Sequence, residues 1–403
     1  MKKVGPLAPL RERPFVLCLT TGALSSSANW MLGLSVPVLI YEITGSVTLV
    51  GTAAAAANLP SLLGSPLGGV WADRYSKRLV LALALAMQMS LTGGLYWISL
   101  RDSLSVPMLL GLTTAIGFAS SVNLSAYQAL VAQIVPQRLI RPAYRLNAIQ
   151  FNLSRAVGPA VAGFVLADWG PSTAFLLNAI AHLPLALVLL LIHPRELPRT
   201  AATNMLSEIA AGAKIAWQQT SLRIALITVS MSAFFGMSVQ QLAAGLAQEV
   251  FHVDPSGLGL LVSAVGIAAV ITAILTVWIG DLFRGSLLVR VGLAFYGFGL
   301  WIVAATDVFT WGLVGFAITG FAHVLVNVTV TTAVQTYVPE AFRGRVTSLQ
   351  LMGIILSMAF GAQMGGALGD TYGLPSVVAF YGGALILYGA WGHFRMDGLR
   401  ALD

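Results

Sequence analysis

Residues 69–78 read Gly-Val-Trp-Ala-Asp-Arg-Tyr-Ser-Lys-Arg, and the sequence on both sides of this charged turn is apolar for the length of a membrane span. A plain connector between two membrane helices requires only polar residues. Here a glycine precedes an Asp-Arg pair by one helical turn and a Lys-Arg pair follows, which predicts close helix approach and specific ion pairs. The turn therefore indicates two membrane helices that meet at a functional junction.

The composition is typical of a membrane protein. The chain has 403 residues, of which 57% are hydrophobic and 9% are charged, whereas an average soluble domain carries about 25% charged residues. In lipid, the backbone must satisfy its hydrogen bonds within helices or closed barrels. The apolar runs here are longer than the ~9–11 residues of a barrel strand, so we predict an all-α membrane protein.

Twelve apolar segments are long enough to cross a membrane as helices. Basic residues outside these segments fall almost entirely on one side, with Arg101 as the exception, while acidic residues such as Asp168 and Asp370 fall on the other. By the positive-inside rule, we expect a multi-pass protein of the bacterial plasma (inner) membrane with both termini in the cytoplasm. The segments cover approximately residues 15–41, 47–72, 79–100, 106–131, 144–167, 171–193, 222–247, 256–279, 286–306, 308–335, 346–369 and 374–394.

The second half of the chain repeats features of the first. Val338-Pro339 follows Val135-Pro136 at an offset of 203 residues, and glycines recur at the same offset. Such a duplication predicts two pseudo-symmetric six-helix bundles, at residues 1–193 and 222–403. We interpret the connector 194–221 as a cytoplasmic linker with an amphipathic helix, because its apolar residues have loosely helical spacing. The recurring glycines are Gly158 with Gly361, Gly163 with Gly366, and Gly170 with Gly373.

These features together resemble the major facilitator superfamily of secondary transporters over the whole chain. Residues 69–78 match the signature of its loop between helices two and three, and residues 280–285 (Gly-Asp-Leu-Phe-Arg-Gly) resemble a degenerate copy in the second half. Residues 158–163 (Gly-Pro-Ala-Val-Ala-Gly) resemble the Gly-Pro-x-x-Gly-Gly motif of the superfamily's antiporters, with Ala162 in place of one glycine. The resemblance implies twelve helices in two bundles, and it favours export over uptake.

Three stretches, at residues 41–46, 147–163 and 339–348, resemble the branch that includes enterobactin exporters and macrolide efflux proteins. This resemblance implies export of an amphipathic organic molecule (a siderophore, a drug or another natural product) by alternating access, with protons as the coupling ion. Many proton-coupled members carry an Arg midway along the fourth helix, but residues 108–131 contain no charge, so coupling does not follow that arrangement. Symport, a lipid or lysolipid flippase on the same fold, and a non-transporting membrane sensor or scaffold remain alternatives.

The charged turn resembles a gate of this superfamily, in which the signature Asp is implicated in ion pairs and in meeting a helix N-terminus of the other half. The resemblance assigns this role to Asp73, and a helix N-terminus favours a carboxylate through its macrodipole and free N–H groups. We expect its partner at the start of the eleventh helix. The alternative is a loop whose basic charge only sets the topology. The predicted gating residues are Gly69, Asp73, Arg74, Lys77, Arg78, Asp281, Arg284, Arg343 and Arg345.

Arg155 lies deep within the fifth apolar segment, about 16 Å from its start at ~1.5 Å per residue. A charge near the bilayer centre costs ~2.5–3.5 kcal/mol on insertion scales, so its side chain must face the protein interior or a water-filled cavity. Arg155 therefore binds an anionic substrate, or takes part in coupling, or pairs structurally with helix carbonyls or with Asn152. The neighbouring Gly158, Pro159 and Gly163 form the predicted antiporter motif.

Further polar residues lie within the apolar segments, several of them in pairs one helical turn apart and so on one helix face. A histidine at this depth can relay protons, because histidine is the side chain that titrates near neutral pH. The alternative for each pair is a hydrogen bond between helices, worth ~0.6 kcal/mol. The predicted substrate and coupling residues, besides Arg155 and Asn152, are Asn29, Trp30, Asn123, Tyr127, Asn178, His182, Gln240, Gln241, His323 and Asn327.

Motifs of other functional classes are absent from the sequence. It has no Gly-Lys-Ser/Thr phosphate loop and no Gly-x-Ser-x-Gly elbow, and its single cysteine, Cys18, allows no internal disulfide. Its basic residues are scattered over short loops, which argues against nucleic-acid binding. We therefore expect a transporter and not an enzyme, with no cofactor and no metal. Its expected partners are a small-molecule substrate, protons and membrane lipids, and we expect a monomer.

Overall fold

A computed structural model describes residues 5–101, 104–195, 213–279, 282–338 and 342–395. Within these ranges every regular element is a helix. Most of the predicted linker helix lies outside the described residues, and only its end, at residues 213–218, is seen to be helical.

Eleven of the described helical stretches are long and apolar enough to cross a membrane. One of them, Gln137–Leu191, has 55 residues, which is about 82 Å of helix and far exceeds the ~30 Å hydrocarbon core. It is interrupted at Gly170, whose φ of 75° and ψ of 174° are non-helical, and so it supplies two spans. The described residues thus account for the predicted segments, and the all-α membrane fold is confirmed.

The described part of the first half contains seven α-helices, preceded by a short 3₁₀ turn at Ala8–Arg11. They are α1 Arg13–Thr44, α2 Val47–Asn58, α3 Ser61–Arg74, α4 Lys77–Ser99, α5 Val106–Ile134, α6 Ile140–Ala181 and α7 Leu183–Leu191.

The described part of the second half contains six longer helices. The first of them continues into an irregular stretch, with π-helical turns at Ala233–Met237 and Leu246–Val250 on either side of the short helices Ser238–Gln241 and Ala243–Gly245. The six helices are α8 Thr220–Ser232, α9 Pro255–Ile279, α10 Gly285–Ala305, α11 Phe309–Tyr337, α12 Arg343–Tyr372 and α13 Leu374–Arg395.

Glycine and proline set several of the helix ends. Gly45, between α1 and α2, and Gly373, between α12 and α13, have φ values of 62° and 81°, a backbone conformation that glycine adopts at no steric cost. Pro60 separates α2 from α3 and cannot donate a backbone hydrogen bond to a preceding carbonyl.

The chain forms two compact units whose boundaries differ from the predicted ones. The first comprises Met1–Leu39 and Ala56–Ala202, and the second comprises Ile40–Ala55 and Thr203–Asp403. The residues around the α1–α2 turn thus pack with the second half of the chain, although their helices begin or end in the first unit. The division into bundles at residues 1–193 and 222–403 stays a prediction.

Small residues bring helices of the first unit into backbone contact. A Cβ atom on Gly68 of α3 would lie 2.9 Å from the Cα atom of Val122 in α5, and one on Gly117 of α5 would overlap the carbonyl group of Ala57. Close approach through small residues is the usual way in which membrane helices associate, because lipid provides little hydrophobic drive between them.

In the second unit, glycines likewise bring α10 into close contact with its neighbouring helices. A Cβ atom on Gly297 would overlap the carbonyl group of Gly382 in α13, and one on Gly299 would lie 3.0 Å from the carbonyl oxygen of Gly315 in α11. The buried ring of Tyr296 occupies the space that a side chain at Gly236 would need. Gly236 lies in the first π-helical turn, so this irregularity coincides with a tightly packed tyrosine.

Candidate functional site

In the charged turn between α3 and α4, some side chains are exposed and others donate hydrogen bonds to backbone carbonyl groups. Asp73 and Arg74 are exposed. Lys77 Nζ donates to the carbonyl oxygen of Ala72 at 3.1 Å, which closes the turn locally. Arg78 donates through its two terminal nitrogens to the carbonyl oxygens of Ile192 at 3.2 Å and Leu190 at 3.3 Å. Arg78 therefore caps the C-terminal end of α7, where helix carbonyls lack intrahelical donors.

The glycine of the turn does not make the expected close contact in this structure. A Cβ atom on Gly69 would meet nothing within 4 Å among the described residues. The close approach is made by the adjacent Gly68 and by Gly64, which both face α5. Gly68 and Gly64, which are one turn apart on α3, thus bring α3 and α5 together.

The predicted gating residues of the second half are held by local contacts. Arg343 Nε donates to the carbonyl oxygen of Val338 at 3.3 Å, and the guanidinium carbon of Arg345 lies 4.9 Å from the centroid of the Phe342 ring. Arg284 is the N-cap residue of α10. Asp281 lies outside the described residues. The gating role of these residues stays a prediction.

Arg155 and Trp30, both predicted substrate residues, lie side by side in the first unit. The guanidinium carbon of Arg155 is 5.8 Å from the centroid of the Trp30 ring, and both side chains are partly buried. Arg155 lies midway between Ile140 and Gly170 of α6, about 22 Å of helix from either residue at ~1.5 Å per residue. The pair combines a cation with an aromatic face at mid-depth.

The antiporter-like motif sets the distance between α1 and α6. A Cβ atom on Gly158 would lie 2.9 Å from the Cβ atom of Trp30 and 3.2 Å from the carbonyl oxygen of Ser27. Gly158 therefore lets α6 approach α1 closely, which brings Arg155 to Trp30. Asn152, the predicted alternative partner of Arg155, donates to the carbonyl oxygen of Ala148 on its own helix at 2.8 Å.

Asn178 and His182 both contact α1. Asn178 Nδ2 donates to the carbonyl oxygen of Ala28 at 2.5 Å, and Ser25 Oγ shares a hydrogen bond with His182 Nδ1 at 2.7 Å. Both side chains are buried, and His182 Nε2 and Asn178 Oδ1 have no hydrogen-bond partner among the described residues. These contacts match the structural alternative stated for this pair.

Asn29 and Asn123 take part in a buried network centred on Gln88 of α4. Gln88 Nε2 donates to Ser120 Oγ at 2.7 Å and to Asn29 Oδ1 at 3.3 Å, and Asn123 Nδ2 donates to Gln88 Oε1 at 2.6 Å. The network joins α1, α4 and α5 within the first unit. The site prediction omitted Gln88, because its pattern in the sequence does not differ from that of any other lone glutamine in a span.

Tyr127 makes a separate link from α5 to α1. Its buried hydroxyl group donates to the carbonyl oxygen of Cys18 at 2.9 Å. The ring also packs against α1, because a Cβ atom on Gly22 would lie 2.7 Å from the Tyr127 hydroxyl oxygen. Tyr127 thus fastens two helices of the first unit.

The predicted polar residues of the second unit lie in different surroundings. The rings of His323 and Tyr296 are 6.3 Å apart at an interplanar angle of 72°. Asn327 Oδ1 accepts a hydrogen bond from Thr331 Oγ1 at 3.3 Å. Gln241 Nε2 lies 3.5 Å from the sulfur atom of Met358, and the buried Nε2 atom of Gln240 has no partner among the described residues.

The structure also reveals a polar cluster that sequence reasoning missed. Asp370 of α12 accepts hydrogen bonds from the Ser46 hydroxyl group and from the backbone N–H groups of Val47 and Thr48. Nearby in sequence, the Tyr41 hydroxyl group donates to Glu249 Oε1 at 2.7 Å. The sequence around an acidic residue at a helix end does not identify a partner more than 300 residues away. The sequence therefore predicts for Asp370 only a position on the external side of the membrane.

A comparison with protein families matches residues 4–400 to a family described as transmembrane secretion effectors. Curated relatives are the enterobactin exporters EntS of Citrobacter koseri and of Salmonella choleraesuis. The first is 25% identical over 367 residues and the second 26% identical over 373 residues. Each alignment covers 89% of this chain and 86% of the relative.

Solved structures of transporters share the fold. The nucleoside transporter NupG superimposes with a TM-score of 0.76 at 13% sequence identity, covering 96% of this chain and 100% of NupG. The xylose transporter XylE from E. coli has a TM-score of 0.71 at 14% identity, covering 96% of this chain and 98% of XylE. At these identities, the likeness concerns the fold alone.

Proposed function

This chain belongs to the transmembrane secretion effector family, within the major facilitator superfamily of transporters, and we propose that it exports an amphipathic organic molecule by alternating access. It is a multi-pass membrane transporter and not an enzyme. We place it in the bacterial inner membrane with both termini in the cytoplasm, as the distribution of basic residues suggests, and we propose that it acts as a monomer.

The observation that carries the proposed substrate class is the placement of Arg155 against Trp30 at mid-depth in the first unit. A guanidinium group provides planar donors for a carboxylate or a phenolate, and it stacks on aromatic faces. An indole ring offers an apolar surface to the organic part of a substrate. Together the two side chains suit a molecule that combines a negative charge with an aromatic or apolar body.

Two features support export of such a molecule. The motif at residues 158–163 resembles that of the superfamily's antiporters, and Gly158 is packed directly against Trp30. The curated relatives are named as enterobactin exporters. We therefore propose a siderophore or a related natural product or drug as the substrate.

We propose proton antiport as the energy source. The sequence contains no phosphate-binding loop of the Gly-Lys-Ser/Thr type, so ATP hydrolysis by this chain is not the drive. The gate proposed at Asp73, on the exposed turn between α3 and α4, would couple substrate and proton movement by keeping one side of the membrane shut while the other is open.

Purified protein in liposomes provides the test. A catecholate siderophore is loaded, and its movement is followed with and without an imposed pH gradient. Antiport predicts faster movement under the gradient, and abolition of that difference by a protonophore. Equal rates in all conditions would reject antiport, and the absence of movement of any anionic amphipathic probe would reject the substrate class.

The variant Asp73→Asn separates a transporter from a membrane scaffold. The exposed side chain keeps its size, so we expect normal membrane insertion but a transport rate that differs from that of the unchanged protein. Arg101→Gln, a change of an exposed residue at the end of α4, serves as the matched surface control. Equal transport by Asp73→Asn and the control would remove Asp73 from the mechanism.

A further inference from the structure

Asp370, near the C-terminal end of α12, binds the first turn of α2, which lies more than 300 residues earlier in the sequence. It lies in the last turn of α12, and its Oδ1 atom accepts the Val47 N–H at 2.8 Å. Its Oδ2 atom accepts the Thr48 N–H at 3.0 Å and the Ser46 hydroxyl group at 2.8 Å. Both carboxylate oxygens are therefore engaged by a single helix N-terminus.

This arrangement is electrostatically favourable. The first N–H groups of a helix have no intrahelical acceptor, and the helix macrodipole attracts a negative charge to that end. Ser46, in the N-cap position, also accepts the Leu49 N–H through its hydroxyl oxygen at 3.3 Å. The local cap and the distant Asp370 thus act together on α2.

Below the carboxylate, α2 and α12 are in backbone contact. A Cβ atom on Gly51 would lie 2.5 Å from the carbonyl oxygen of Ala362, and one on Gly366 would lie 2.5 Å from the carbonyl oxygen of Val47. Next to Gly51, Thr52 Oγ1 donates to Gln363 Oε1 at 2.9 Å. The contact between the two helices leaves no room for an added methyl group.

The segment that contacts α12 is residues 40–55, which the sequence repeat assigns to the first bundle, at residues 1–193. Residues 40–55 are grouped with the second unit, whereas the remainder of α1 and of α2 belongs to the first. Both helices continue across the boundary without a break in their helical structure. If α1 and α2 move as rigid helices with their own bundle, the contacts of residues 40–55 with α12 must separate.

We propose that Asp370 is the latch of a gate at the membrane face opposite the chain termini, which the basic-residue asymmetry predicts to be external. In the state seen here, the carboxylate holds residues 40–55 against α12. In the state that opens this face, it releases the N-terminus of α2. This inference rests on the alternating access proposed above, and it does not depend on which substrate is carried.

Cysteine accessibility tests the latch in the full-length protein in membrane vesicles. Cys18, the single cysteine, is buried and is replaced in the background variant Cys18→Ala. Thr52→Cys then places a reporter thiol at the contact of α2 with α12. A membrane-impermeant maleimide is added to each side of the membrane in turn, and the labelling rate is measured without substrate.

Asp370→Ala and Asp370→Asn, added to this reporter, are expected to raise the labelling rate from the gate side about fivefold, because charge-assisted hydrogen bonds are lost from a solvent-exposed site. Ser46→Ala leaves the charge in place but removes one of the three hydrogen bonds, so we expect about a twofold increase. Unchanged rates in the Asp370 variants would overturn the proposal. If those variants fail to insert, an unchanged rate in Ser46→Ala would overturn it.

Asp254→Asn is the matched control. Asp254 also caps a helix N-terminus, but only its own: its Oδ1 atom accepts the Ser256 hydroxyl group at 2.6 Å and the Gly257 N–H at 3.0 Å. We expect the parent labelling rate for this variant, and an increase equal to that of Asp370→Asn would overturn the latch. The labelling assay requires no substrate, so it tests the latch independently of transport. If the Asp370 variants label faster but no anionic substrate is transported, the proposed substrate is rejected and the latch is still supported.

Discussion

The guanidinium carbon of Arg155 lies 5.8 Å from the centroid of the Trp30 ring, midway between Ile140 and Gly170 of α6. This distance is within the range at which a cation and an aromatic face attract each other, and the attraction is larger where water is excluded. The relationship depends on Gly158, which allows α6 to approach α1 one turn away from Arg155. It is the basis of the first two predictions.

Replacing Arg155 should reduce transport of anionic substrates selectively. We expect Arg155→Gln to lower the rate by about tenfold or more, equivalent to ~1.4 kcal/mol, because the positive charge is lost. Arg155→Lys should retain part of the rate, since lysine keeps the charge but not the planar stacking group. The measurement is the initial rate of efflux from proteoliposomes at equal protein content.

The control for this comparison is Arg101→Gln. Arg101 also stacks on a tryptophan, Trp97, at 4.7 Å, but this pair is exposed at the end of α4. It should transport at the parent rate. Similar losses in the Arg155 and Arg101 variants would show that stacked arginines support the fold and not the substrate.

Gly158→Ala should destabilise the protein, whereas Gly69→Ala should not. The added methyl group at position 158 would lie 2.9 Å from the Trp30 Cβ atom, so α1 and α6 must separate, at a cost of ~1–3 kcal/mol. At position 69 the methyl group meets nothing within 4 Å, and alanine is favoured over glycine in a helix by ~0.5–1 kcal/mol. The measurement is thermal unfolding in detergent. Equal melting temperatures for Gly158→Ala and Gly69→Ala would contradict the prediction.

Arg78→Ala should lower stability by about 1 kcal/mol, because the carbonyl oxygens of Leu190 and Ile192 lose their donors at the end of α7. Arg74→Ala, which changes an exposed neighbour in the same charged turn, should leave the melting temperature unchanged. Equal melting temperatures for the two variants would indicate that the arginine cap contributes nothing.

Gln88 and Asn123 should show energetic coupling in a double-mutant cycle. The two side chains are buried and 2.6 Å apart at their polar atoms, so either single change to leucine leaves a polar group without its partner. We expect a coupling energy between ~0.6 and ~1.7 kcal/mol, which are the average and the maximum for hydrogen bonds between membrane helices. Gln128→Leu, on the exposed face of α5, is the control, and a coupling energy of zero would contradict the network.

The spans were predictable because each one is a local property of the chain. A run of about 20 apolar residues identifies a membrane helix wherever it stands in the fold, and the sequence repeat already pairs Gly170 with Gly373. Contacts between helices were less predictable. The sequence indicated a close approach near residue 69, but periodicity gives a helix face only to within a residue or so, and the contact falls on Gly68.

The partners of the polar residues could not be predicted at all. Asn178 and His182 share a helix face, as their spacing indicates, but nothing in their sequence identifies Ala28 and Ser25 as their partners. Gln88 and Asp370 were passed over for the same reason. A hydrogen bond between residues far apart in sequence depends on which helices become neighbours and on how each is rotated about its axis.

The amino-acid sequence by itself determined the helical class, the number of spans, the charged turn at residues 69–78 and the position of Arg155 deep within a span, because hydropathy and charge act on each segment independently of the others. Only the tertiary structure decided that Arg155 meets Trp30, that Arg78 caps α7, and that Asp370 binds the N-terminus of α2. These contacts join residues on different helices, and the number of residues between two positions does not say how close they lie in the fold. Only the packing of the helices in three dimensions brings these residues into contact.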